Sequence, residues 1–185
     1  MLSSEIQQLC RLFAATLDYP NKSLAAATQD CANALADSFP RIAAPMLSFA
    51  DFVGSQSVEA LEELYTQTFD VTPATSLYLG YHLFGETPHR SVFLVRLQEA
   101  YQAHSFSSGT ELADNLVVLL RFLSLARDWE FARPLLEECL VPTVTKIEAE
   151  LRKTESEYAP PMSSLKTLLE QMTRAAMRPG GEHNA

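Results

Sequence analysis

"FDVTPATSLYLGYHLFG", residues 69–85, gathers Phe69, Tyr78, Tyr81, Phe84 and His82 around a single charged side chain, Asp70. Its spacing predicts a helix over 76–84, with Leu77, Tyr81 and Phe84 on one stripe, Tyr78 and His82 on the next, and Leu79 and Leu83 on a third. A helix that is apolar almost all round is either interior or lends one face to a groove that another chain fills. The phenol and imidazole tips, which seek partners or water, argue in part for the groove. Upstream, "LEELYTQTFDVTP" (61–73) reads as a helix ending at Phe69 and a turn from Asp70 to Pro73. The Asp70 carboxylate is expected to cap the following helix or to meet an incoming arginine.

Outward from this stretch, apolar residues recur at helical spacing: Leu2, Ile6, Leu9, Phe13; Leu24, Ala27, Cys31, Leu35; Val58, Leu61, Tyr65, Phe69. The pattern continues through Leu94, Leu97, Tyr101, through Leu112, Leu116, Leu119, Leu123, and through Val144, Ile147, Leu151 to Leu165, Leu168, Met172. Strand-type alternation is absent. The expectation is an all-α fold, a compact bundle of about nine to ten helices. Pro20, Pro40, Pro45, Pro73, Pro88 and Pro134 mark starts or breaks, and Pro142 bends or divides the helices beside it. Ser57 and Thr110 are expected N-caps. "HSFSSGTELADN" (104–115) is the clearest loop, "EYAPPMSS" (157–164) reads as a linker, and "RPGGEHNA" (178–185) as a frayed tail after one helical domain, 1–177.

With 23 acidic against 14 basic residues, the formal charge of −9 repels phosphate backbones and disfavours nucleic acid as a partner. It favours a basic peptide. Cys10, Cys31 and Cys139 match no CxxC pair and read as buried thiols. "MLSSEIQQLCRLF" has Glu5 where a signal peptide needs a basic region, and no apolar run approaches the ~18 residues of a membrane span, so the expected location is cytoplasmic without membrane insertion.

His82, Glu86 and His89 follow at i, i+4 and i+7, a spacing that would align three metal ligands, but Gly85 and Pro88 interrupt the turn. A metal-dependent helical enzyme is thus one alternative reading, and a generic helical adaptor another. No GxSxG elbow, GxGxxG or P-loop is present, and paired acids such as Glu62–Glu63 point to different helix faces.

"LYTQTFDVTPATSLYLGYHLFG" (64–85) closely resembles the signature of the NarJ-type nitrate reductase molybdenum cofactor assembly chaperones, within the TorD-like redox-enzyme maturation family. "ELADNLVVLLRFLSLA" (111–126) is similar to that family's ELPDHLPxxLEFL segment, departing from it at Ala113, Asn115, Val117 and Arg121. Gly80 stands where a bulkier residue is usual. The resemblance implies a non-enzymatic TorD-like chaperone with no cofactor of its own, possessing a groove for the N-terminal segment of the apo form of a molybdoenzyme catalytic subunit. It leaves a homodimer open. Carried onto this sequence, the groove comprises Tyr65, Phe69, Pro73, Ser76, Leu77, Tyr78, Tyr81, His82 and Asn115, with Asp70 and Asp114 as acidic or hinge positions.

Overall fold

The computed structural model of the chain describes residues 3–126 and 129–176; the expected tail at 178–185 lies outside them. The described residues form ten α-helices: α1 (Ser4–Thr16), α2 (Leu24–Ser38), α3 (Pro40–Ser55), α4 (Val58–Tyr65), α5 (Leu79–Phe84), α6 (Pro88–Ala103), α7 (Leu116–Leu123), α8 (Trp129–Pro134), α9 (Val141–Lys153) and α10 (Ala159–Ala176). No strand element occurs among them. None of the described helices is long and apolar enough to cross a membrane.

Helix α7 is the centre of the bundle. Every residue from Leu116 to Leu123 except Arg121 is buried, as a helix apolar on all sides must be. Around it α1 packs on α2 and on α7, α2 on α3, and α10 on α3 and α9. Buried apolar side chains from Leu9 to Met172 belong to one core cluster.

Local chemistry sets most boundaries. Ser3 and Ser57 accept hydrogen bonds from the amides of Ile6 and Ala60, capping α1 and α4. Pro40 and Pro88 open α3 and α6, where a missing N–H costs nothing. Helix α4 does not stop at Tyr65 but widens through Thr66–Asp70, with Val71 N–H donating to Thr66 O at 3.0 Å, an i→i+5 bond. A second widened turn, Leu135–Leu140, precedes α9, with Pro142 in the first turn of that helix.

Five local expectations change. The helix expected from 76 begins at Leu79, because Tyr78 before it is extended and pairs with Asn115. The cap of α7 is Asn115, whose Oδ1 accepts from Val117 N at 2.8 Å, rather than Thr110. The linker expected over 157–164 is mostly helix, since α10 starts at Ala159 and its prolines fall in the first turn. Pro45 lies inside α3 rather than at a break. Cys10 and Cys31 are buried with thiols pushed up to about 12 by desolvation, but Cys139 is only half-buried.

Candidate functional site

Between α4 and α5 the chain has two jobs that a helix cannot do. A tight turn over Pro73–Thr75 redirects it, and after a bend at Leu77 the backbone is extended at Tyr78. Tyr78 pairs antiparallel with Asn115, the bridge being closed by Leu79 N to Asp114 O and Leu116 N to Leu77 O, both 2.8 Å. The two motifs singled out in the sequence are thereby stitched together backbone to backbone.

Asp114 holds the junction. Its side chain is fully buried, and its Oδ2 accepts from Gly80 N at 3.0 Å and from Arg90 Nε at 3.3 Å. This carboxylate, not that of Asp70, serves the start of α5, correcting the expected cap. The reason for Gly80 follows, since a Cβ there would lie 2.6 Å from Asp114 Oδ2 and 3.0 Å from Arg90 Cγ. Asp114 Oδ1 is buried without a hydrogen-bond partner.

Outside this junction lies an acidic and aromatic face. Tyr78 OH donates to Glu111 Oε1 at 2.9 Å, and burial followed by the Glu111 contact pushes its phenol up to about 12. Tyr65 is raised further, first by burial and then by the charges of Asp70 and Asp18. Asp70, though exposed, is itself raised, by the partial desolvation of its carboxyl and then by the charge of Glu111, so these carboxylates repel one another. Asp18 is paired with Arg121, whereas no salt bridge reaches Asp70 or Glu111 among the described residues. Each of the three acids is followed in sequence by an exposed apolar side chain: Asp18 by Tyr19, Asp70 by Val71, Glu111 by Leu112. Tyr19 reaches inward, its ring 5.4 Å from that of Tyr65.

The residues expected to line a groove divide accordingly. Asp70 and Pro73 are exposed, and Ser76, Tyr78, Tyr81 and His82 are half-buried. Tyr65, Phe69 and Leu77 are buried, the first two in an aromatic cluster with Phe49 and Tyr158. Asn115 is a buried cap and Asp114 a buried clasp. His82 is engaged locally: its Nε2 lies 2.7 Å from Ser76 O, and Lys146 Nζ donates to its carbonyl at 3.0 Å. Asp18, Tyr19, Val71, Glu111 and Leu112 were absent from the expected groove; the signal was an acid followed by an apolar residue in each of three irregular segments.

The metal alternative has no geometric support. Gly85, at φ 61°, turns the chain between α5 and α6, and no group of three metal-ligating side chains converges among the described residues.

By fold the chain is an all-helical bundle similar to that of a protein from Archaeoglobus fulgidus described as a "Putative Redox Enzyme Maturation Protein", with a TM-score of 0.61, 18% identity, and 92% and 96% of the two chains covered. Residues 21–162 match the family described as nitrate reductase delta subunit. The chain is 34% identical over 128 residues to the Bacillus subtilis (strain 168) protein named "Probable nitrate reductase molybdenum cofactor assembly chaperone NarJ", a match covering 69% of this chain and 68% of that one. It is 30% identical over 148 residues to the nitrate reductase molybdenum cofactor assembly chaperone NarJ of Escherichia coli (strain K12), spanning 77% of this chain and 61% of the relative. The chain is a member of the nitrate reductase delta subunit family.

Proposed function

We propose that this protein is a non-enzymatic, cytoplasmic assembly chaperone for a molybdenum-containing reductase of the nitrate reductase type. It binds the N-terminal segment of the catalytic subunit before that subunit is complete, so that cofactor insertion and assembly with partner subunits proceed in order. Family membership supports the chaperone role, and one observation supports the place of capture: the charges of Asp18, Asp70 and Glu111 all act on Tyr65, Glu111 also accepts from Tyr78, and each acid is followed in sequence by an exposed apolar residue, Tyr19, Val71 or Leu112. An amphipathic segment bearing arginine or lysine fits that face. Its apolar side chains cover Tyr19, Val71 and Leu112 while its cations relieve the repulsion between Asp70 and Glu111.

Affinity in the micromolar range needs about 8 kcal/mol, which a few buried anchors supply. Titration calorimetry with a synthetic N-terminal peptide of a nitrate reductase-type catalytic subunit from the same organism tests the reading. Heat that saturates at one peptide per chain and weakens with salt supports it. No heat, together with normal maturation of the reductase in cells lacking this protein, refutes it.

A further inference from the structure

One cation of the chain's own sits beside this face. Arg90, in the first turn of α6, places Nε 3.3 Å from Asp114 Oδ2 and its guanidinium carbon 5.9 Å from the centre of the Tyr78 ring. No other bond is made by its side chain among the described residues. The Arg90 side chain is 24% exposed while that of Asp114 is fully buried, so the arginine lies between the carboxylate and solvent. The contact is a poor use of both groups. A guanidinium offers a planar fork that satisfies both carboxylate oxygens at once, yet here only one oxygen is engaged, through a single nitrogen, and Oδ1 is left buried and unpartnered.

The helix that carries Arg90 is lightly held at that end. From Pro88 to Arg96 no residue of α6 is fully buried: Phe93 and Leu94 are half-buried against the core, the Phe93 ring 5.5 Å from that of Phe84, while Leu97 and Tyr101 are buried in the second half. With no fully buried side chain, this half is held less firmly than the half that carries Leu97 and Tyr101. Val92 and Val95 on it are exposed.

We propose that Arg90 is an internal stand-in for the partner's arginine, and that the position it occupies, against Asp114 and over the Tyr78 ring, is specific for guanidinium over ammonium. On docking, an arginine of the partner segment takes the position against Asp114 and over Tyr78, forking onto both Oδ1 and Oδ2. Arg90 and the first half of α6 swing outward as it enters. This inference rests on the capture of a basic segment proposed above, but its first test does not.

In that test, Arg90→Ala and Arg90→Gln are melted with and without millimolar ethylguanidinium chloride, against ethylammonium chloride at equal ionic strength. Both variants melt below wild type, because a buried carboxylate has lost its cation. Ethylguanidinium raises their Tm by more than it raises that of wild type, and by more than ethylammonium does. Equal shifts in variant and wild type, or with either cation, overturn the proposal. Should Arg90→Ala not fold, Arg90→Gln and Arg90→Lys decide it, the latter being rescued by neither ion.

A second measurement compares an arginine-bearing amphipathic peptide with its citrulline analogue. The preference for arginine is several-fold larger in Arg90→Gln than in wild type, which a purely structural role for Arg90 would not produce. An unchanged preference overturns the proposal. If neither protein binds either peptide, the capture reading fails and the ion rescue alone decides whether Asp114 is a guanidinium site.

Discussion

The Oδ2 of Asp114 accepts a hydrogen bond from the amide of Gly80 at 3.0 Å, so that a buried carboxylate from the loop before α7 fixes the first turn of α5. This contact leaves no room for a methyl group. Gly80→Ala would set Cβ against the carboxylate at 2.6 Å and against Arg90 Cγ at 3.0 Å. It is expected to cost about 1–3 kcal/mol in urea unfolding, the usual range for overpacking. Gly54→Ala in α3, where nothing lies within 4 Å of the new Cβ, is expected instead to be neutral or to stabilise by up to ~1 kcal/mol.

Tyr158 is fully buried, with its ring 4.7 Å from that of Phe69 and its hydroxyl unpartnered. Removing a hydroxyl that makes no bond forfeits nothing, so Tyr158→Phe is expected to leave Tm unchanged or raise it. Tyr158→Ala, which empties the aromatic cluster, is expected to cost about 3–5 kcal/mol.

Much of this architecture was legible in the sequence because it is local. Helical period and the Ser57 cap depend on residues a turn or two apart. What could not be read depends on remote segments: Tyr78 is extended because it pairs with Asn115, and Asn115 caps α7 in place of Thr110 because the bridge ends there. The site followed the same division. Asp70, Tyr78 and Tyr65 were singled out on one motif, whereas Asp18, Tyr19, Val71 and Leu112 lie on irregular stretches without a period, and only folding brings their neighbourhoods together.

Asn115→Ala removes the acceptor for Val117 N and is expected to destabilise by about 1 kcal/mol, the usual worth of an N-cap. Thr110→Ala, which touches no cap, should leave the unfolding midpoint where it was.

Burial holds the His82 imidazole below its ordinary value of 6.5, opposed by its contact with Ser76 O and assisted by the charge of Lys146. The folded protein therefore binds a proton at His82 less readily than the unfolded chain does. Stability associated with this residue is present above pH 6.5 and is lost as pH falls below it. Urea unfolding between about pH 7.5 and pH 5.5 should show a smaller loss of stability in His82→Gln than in wild type.

Asp70 has the opposite sign. Partial desolvation and the charge of Glu111 raise its carboxyl, so its ionised form opposes folding by a small amount that solvent screening limits, and that cost is present once pH rises through its raised value. Asp70→Asn is expected to raise Tm at neutral pH while weakening the binding of a basic peptide. A variant that gains stability and loses affinity together would show that the repulsion is kept for a partner.

Amide hydrogen exchange with and without the N-terminal peptide of the catalytic subunit tests the capture face most directly. Protection should appear around Asp18–Tyr19, Asp70–Val71, Leu77–Tyr78 and Glu111–Leu112, and should vanish when Tyr78→Ala and Glu111→Gln are combined. Protection confined to another surface, such as the cleft between α1 and α2 lined by Glu5, Leu12, Asp30 and Asp37, would contradict the account.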